Sequence, residues 1–153
     1  MALIAAGADH AGVRLKDVLV AHLRERGHDV VDCGTHGLDR VDYPDYGEAV
    51  ARKVAAGEAE VGLCVCGTGI GIAMAANKVP GARAATVHDV TSARLTREHN
   101  NANVICLGER LIGPEAAREA LEAFLGASFA EGRHVSRVDK IDALLPKQEE
   151  AVP

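Results

Sequence analysis

Five short, largely apolar runs punctuate the chain, at Leu3–Ala8, residues 30–33, Val61–Cys66, residues 83–87 and Val104–Gly108. Runs this short, without polar alternation, read as strands buried on both faces, as in a parallel sheet. The intervals between them carry helical patterns. Leu15, Leu19 and Leu23 recur every four residues, with Arg14, Lys16, Arg24 and Glu25 on the other faces, so residues 13–26 read as a helix stopped by Gly27. Pro44 opens a second helix running to about Ala56, after a polar loop over residues 34–42. A third helix follows the glycines at 67, 69 and 71 and runs to about Asn77, and Asp89 is the expected N-cap of a fourth that runs through about His99. Residues 114–125 and 132–150 complete the set. Strand–helix alternation of this kind predicts an α/β chain: a single-domain, Rossmann-like three-layer sandwich with a five-stranded parallel sheet, spanning residues 1–153.

Composition narrows the function. Of 153 residues, 48% are hydrophobic and 25% charged, which suits one domain with a real core. The formal net charge is −5 and no basic stripe is visible, which argues against nucleic acid as a partner. No apolar run is long enough to cross a bilayer, so no membrane partner is expected. The N-terminus lacks a basic segment and meets Asp9 early, unlike a signal peptide. Cys33, Cys64, Cys66 and Cys106 lie in or beside apolar runs, where reduced cysteines pack; free thiols and a cytoplasmic location are expected.

Ligand sites in parallel α/β sheets gather at the carboxyl ends of the strands. There the sequence places Asp9 and His10 after the first strand, Cys66 and the glycine loop after the third, and Glu109 and Arg110 after the fifth. The loop reads Gly67-Thr68-Gly69-Ile70-Gly71. Alternate glycines let the backbone turn tightly and bring its amides against an anion. Two nucleotide motifs fail on detail. A dinucleotide fingerprint needs glycine where Ile72 stands, and the Gly7 to Gly12 spacing lacks the phosphate-binding lysine because Val13-Arg14 follows.

Cys66 stands at the mouth of the loop. Alone, a buried cysteine is more often inert core, but amides at a helix start favour a thiolate, and a thiolate is a base. Cys64 shares the strand face at greater depth and is expected to pack. No second Cys or His pair has zinc spacing and the carboxylates are scattered, so no metal or other cofactor is expected. The Asp9 carboxylate beside His10 would orient or charge the imidazole. His99, at a helix end, also reads as a cap. His22, His28 and His36 read as surface residues. Arg133 and Arg137 are four residues apart, so on one helix both guanidinium groups share a face; they grip a phosphate or form a solvated basic face.

Taken together, Gly7-Ala8-Asp9-His10-Ala11-Gly12, Asp42-Tyr43-Pro44, Cys66 with its glycine loop, Ala76-Asn77-Lys78, Arg97-Glu98-His99-Asn100 and Gly132-Arg133-His134 resemble the ribose-5-phosphate isomerase B family, which includes galactose-6-phosphate isomerase subunits. The resemblance covers nearly the whole chain. It implies an aldose–ketose isomerase acting on a small sugar phosphate, ribose 5-phosphate first, with tetrose 4-phosphates and hexose 6-phosphates as alternatives. A non-catalytic sugar-phosphate binder is the more remote alternative.

The resemblance also implies roles. Cys66 moves the proton, the amides of Gly67, Thr68, Gly69, Ile70 and Gly71 with the Thr68 hydroxyl hold the enediolate, and His99 opens the sugar ring. Asp9 and Tyr43 contact the sugar; His10, Arg133 and Arg137 bind phosphate; Asn100 and Arg110 complete the contacts. One branch of the family uses a glutamate further along the loop helix, but Ile72-Ala73-Met74-Ala75-Ala76 holds no carboxylate, so this chain groups with the cysteine type. The family implies a homo-oligomer, dimer or tetramer, with shared active sites and a C-terminal helix, about 132–150, packed on a partner subunit.

Overall fold

The computed structural model describes residues 1–147. Its sheet is built from β1 (Leu3–Ala8), β2 (Asp29–Asp32), β3 (Val61–Cys66), β4 (Ala84–Thr86) and β5 (Val104–Gly108), all parallel, in the order β2-β1-β3-β5-β4. The helices are α1 (Val13–Glu25), α2 (Tyr43–Ala55), α3 (Ile70–Ala76), α4 (Val90–Asn100), α5 (Pro114–Gly126) and α6 (Val135–Leu144). The three layers and five parallel strands match the expectation from sequence.

The central strands are apolar throughout because both faces are covered. One core joins α1 and α5 to the sheet through Leu15, Leu19, Leu23, Leu63, Ile105, Leu121 and Phe124. The other joins α2 and α3 to the opposite face through Val50, Ile72, Val104 and three buried thiols, Cys64, Cys66 and Cys106. Cys64 packs as its depth on β3 predicts, and all four cysteines are free. The side chain of Asn77 donates to the carbonyl of Ala84 and accepts from its amide, at 2.9 and 2.8 Å, imitating a strand partner beside edge strand β4.

Several boundaries shift. β2 begins one residue earlier than its apolar run, and β4 keeps only Ala84–Thr86 of residues 83–87, although Val87 still donates to Cys106 O at 3.1 Å. Asp89 caps α4 as expected, accepting from the Ser92 amide at 2.6 Å.

The largest difference is at the C-terminus. Gly132–His134 form a 3-10 turn and α6 ends at Leu144, because Pro146 disfavours helical geometry at Leu145. The far end of the expected helix, at Glu150, lies outside the described residues. Arg133 therefore sits in the 3-10 turn and Arg137 in α6, which follows without a break, so the pair spans two kinds of helical turn rather than one α-helix. His22 and His28 are half-buried and bonded, to Glu122 and to the Ala2 amide, rather than free surface residues.

Candidate active site

The carboxyl ends of β1 and β3, the start of α2 and the turn after β5 enclose a cleft of about 510 Å³. Its walls include Asp9, His10, Tyr43, Cys66, Gly67, Thr68, Ile70, Gly71 and Arg110. Sequence reasoning named all nine.

Cys66 is the last residue of β3, only 4% exposed, and its Sγ accepts the Gly69 N–H at 3.2 Å. Gly69 caps α3 with φ +73°, and a β-carbon there would meet the Leu107 carbonyl carbon at 2.8 Å; both facts demand glycine. A β-carbon on Gly71 would strike the Tyr43 ring at 2.6 Å, so this glycine lets Tyr43 approach the loop.

The loop carbonyls are tied toward the sheet. Cys66 O accepts from Glu109 N at 2.9 Å, Gly67 O from Arg110 N at 3.0 Å, and Gly69 O from the Thr86 hydroxyl at 2.7 Å. In a trans peptide the N–H points away from the preceding carbonyl. The amides of Gly67 and Thr68 are thereby turned away from the sheet, on the side of the cleft, while the Ile70 amide donates to Thr68 Oγ1 at 3.3 Å. Such a row of fixed donors stabilises negative charge on a ligand oxygen without reorganising.

On the other wall, Asp9 Oδ1 accepts from the amides of Ala11 and Gly12, at 3.0 and 3.1 Å, which fixes the carboxylate at the start of α1. His10 is oriented differently from the sequence expectation. Its Nδ1 accepts the Val41 N–H at 3.2 Å, so the backbone of the 34–42 loop, not Asp9, sets the ring. A neutral His10 then carries its proton on Nε2. The Arg110 guanidinium lies against Gly67, where a β-carbon would stand 3.2 Å from Nη1.

His99, Asn100, Arg133 and Arg137 are not in this cleft. His99 and Asn100 end α4, which descends antiparallel to the strands and delivers the chain to the start of β5. They stand at the amino edge of the sheet, opposite Cys66. His99 stacks on His134 with ring centroids 4.5 Å apart and planes at 15°. Burial first, and then His99, Arg133 and Arg137 nearby, push His134 below the usual histidine range. Asn100 also borders a separate groove of about 420 Å³ between α6 and β4, whose walls are mostly apolar.

Sequence reasoning missed Thr86 and Val41, which orient the loop and His10 from 17 and 31 residues away; no local pattern marks such contacts. His134 lay in plain view within the Gly132-Arg133-His134 segment, and its burial came only with the fold.

A family model described as Ribose/Galactose Isomerase matches residues 4–141. The chain belongs to this family. Members similar to it include the ribose-5-phosphate isomerase B of Escherichia coli K12, 48% identical over 144 residues that make up 94% of this chain and 97% of that one. Among solved structures, ribose-5-phosphate isomerase B of Clostridium thermocellum superposes with a TM-score of 0.92 at 48% identity, covering 93% of this chain and 96% of the other. The Mycoplasma genitalium enzyme, solved with bound ribulose-5-phosphate, gives a TM-score of 0.90 at 41% identity, with 93% and 95% covered. Family members of this similarity share the five-stranded parallel sheet described above.

Proposed function

We propose that this protein interconverts ribose 5-phosphate and ribulose 5-phosphate, with Cys66 as the base. The observation that carries the proposal is the placement of Cys66 Sγ, held by the Gly69 amide at the mouth of a cleft walled by oriented backbone donors.

The reaction follows from that geometry. The Cys66 thiolate takes the proton from C2 of the open-chain aldose. The electron pair left on C2 forms the C1–C2 double bond, and the carbonyl oxygen at C1 becomes an enediolate oxygen. The amides of Gly67, Thr68 and Gly71, with the Thr68 hydroxyl, receive that charge as an oxyanion hole, while the Gly69 amide stays on the sulfur. The Cys66 thiol returns its proton to C1, and the hydroxyl proton on O2 passes to O1, which leaves a C2 ketone. Asp9 and Tyr43 position the sugar. Charge stabilisation by amides leaves no step that calls on a metal.

The complete site draws on two copies of the chain. Within the cleft, Arg110 and His10 are the cationic or cationisable side chains among the described residues, a thin complement for a phosphate on a protein of net charge −5. His99, Asn100, Arg133 and Arg137 lie together at the other end of the fold. In a homo-oligomer of two or four chains, this end of one copy closes the cleft of the next. His99 then opens the sugar ring and the two arginines hold the phosphate. Apolar side chains at both ends support this arrangement. Tyr43, Ile70 and Met74 are exposed around the cleft, and Ile141, Leu144 and Leu145 are exposed at the end of α6, which would pack on the partner.

The family description names galactose as well as ribose, and the 34–42 loop that touches His10 is where sugar length would be read. The test is a substrate panel followed by proton NMR: ribose 5-phosphate, erythrose 4-phosphate, allose 6-phosphate and galactose 6-phosphate. The highest kcat/KM is expected for ribose 5-phosphate. A tetrose or hexose phosphate turned over faster would replace the substrate and keep the chemistry. No turnover of any of the four would leave a sugar-phosphate binder and overturn the proposal.

A further inference from the structure

We infer that Thr86 is a positioning residue for Cys66: its hydroxyl, at the carboxyl end of edge strand β4, locks the glycine loop so that the Gly69 amide stays on the sulfur. The inference rests on Cys66 being the base. Three ties hold the loop carbonyls, and two of them come from the backbone amides of Glu109 and Arg110. The third, Thr86 Oγ1 to Gly69 O at 2.7 Å, is the one made by a side chain.

As the N-cap carbonyl of α3, Gly69 O also takes the first helical bond, from the Ala73 amide, so Thr86 is its second partner and the one that ties it to the sheet. Gly69 adopts φ +73° and ψ −1°, and a residue without a β-carbon has the widest choice of alternatives. Gly69 is joined to two site donors. Its own N–H meets Cys66 Sγ at 3.2 Å, and its carbonyl belongs to the peptide whose N–H is that of Ile70, which donates to Thr68 Oγ1 at 3.3 Å and so holds that hydroxyl on the cleft wall. Fixing the Gly69 carbonyl therefore fixes both. No interaction of the Thr86 hydroxyl with substrate is required, since the residue acts through Gly69.

The other groups facing Cys66 are Asp9 and His10 after β1, Tyr43 on α2, Arg110 after β5, and the thiols of Cys64 and Cys106 on the same sheet face. A change at Thr86 leaves all of them in place. Valine has the shape of threonine and suits a strand, so Thr86→Val removes the hydroxyl with little effect on packing. Thr86→Ser keeps it.

The test measures two quantities on each variant. One is the rate of iodoacetamide alkylation at Cys66 across pH, read by mass spectrometry on the isolated peptide. The other is kcat and KM for isomerisation. In Thr86→Val the alkylation profile is expected to move to higher pH, and kcat to fall about fivefold to tenfold, less than the loss of a whole hydrogen bond to a charged group because the Gly69 bond to the thiolate is weakened and not removed. KM should stay within about twofold. Thr86→Ser should return both quantities toward wild type.

An unshifted alkylation profile in a folded Thr86→Val protein would overturn the inference. So would an equal loss in Thr86→Ser. A shifted profile with unchanged kcat would support the link from Thr86 to Cys66 and count instead against Cys66 as the base, which keeps the two failures apart.

Discussion

Cys66 closes β3 at the carboxyl edge of the sheet, and His99 ends α4 at the amino edge, just before the chain enters β5. The length of β5 separates the two levels, about 16 Å at the parallel-strand rise. No side-chain rotation brings the imidazole of one chain to its own thiol. A site that uses both takes them from different copies.

This separation makes a complementation experiment decisive. Cys66→Ala and His99→Gln homo-oligomers should each be strongly impaired. A mixed oligomer, isolated through two different affinity tags, combines an intact Cys66 from one chain with an intact His99 from the other. With one restored site per symmetric pair, it should regain about half of the wild-type activity per site. Mixed oligomers no more active than their parents would mean that each site is built within one chain.

Lys16 is fully buried on α1, with Nζ 2.8 and 2.9 Å from the two Asp32 oxygens and 2.8 Å from Thr35 O. This ion pair staples the start of the 34–42 loop to α1. Removing the lysine leaves Asp32 unpaired in a largely buried place, so Lys16→Met should cost about 3 kcal/mol. Thermal unfolding should show the midpoint falling by roughly 10 °C. Adding Asp32→Leu should recover part of the loss, because no largely buried charge is then left; Asp17, the other partner of Lys16 at 3.1 Å, is exposed to solvent. A melting temperature within a degree or so of wild type would show that the pair contributes nothing.

His134 offers a pH signature. Its imidazole is pushed below the ordinary histidine range by burial and by His99, Arg133 and Arg137. The unfolded chain therefore takes up a proton at this position before the folded chain does. Stability is fully present above about 6.5, the unfolded value, and declines as pH falls through the lower folded value. Urea midpoints measured from pH 7.5 to pH 5 should fall, and His134→Phe, which keeps a ring against His99, should flatten that fall. Parallel curves for the two proteins would remove His134 from the acid sensitivity.

Much of this was legible in the chain itself. The five strands show because each is short, apolar and bounded by glycine or polar residues, and the parallel architecture then assigns Asp9, Cys66 and Arg110 to one edge. The local order of Cys66 and its glycines carried the cleft. What the sequence hid is long-range. Nothing near Thr86 marks it as a tie for Gly69, and nothing near Val41 marks it as the partner of His10. The adjacency of Asp9 and His10 suggested a pair, but Asp9 satisfies the amides of Ala11 and Gly12 instead. The spacing of Arg133 and Arg137 suggested one helix, but the chain makes a tighter turn at Gly132–His134 before α6 begins.

The most direct test of Cys66 as the proton carrier is proton NMR in D2O with ribose 5-phosphate, comparing wild type with Cys66→Ala. Wild-type protein should form ribulose 5-phosphate and place solvent deuterium at C2 of the recovered aldose. Cys66→Ala should do neither, while still binding ribose 5-phosphate by calorimetry. Deuterium entering C2 at the wild-type rate in Cys66→Ala would contradict the mechanism outright.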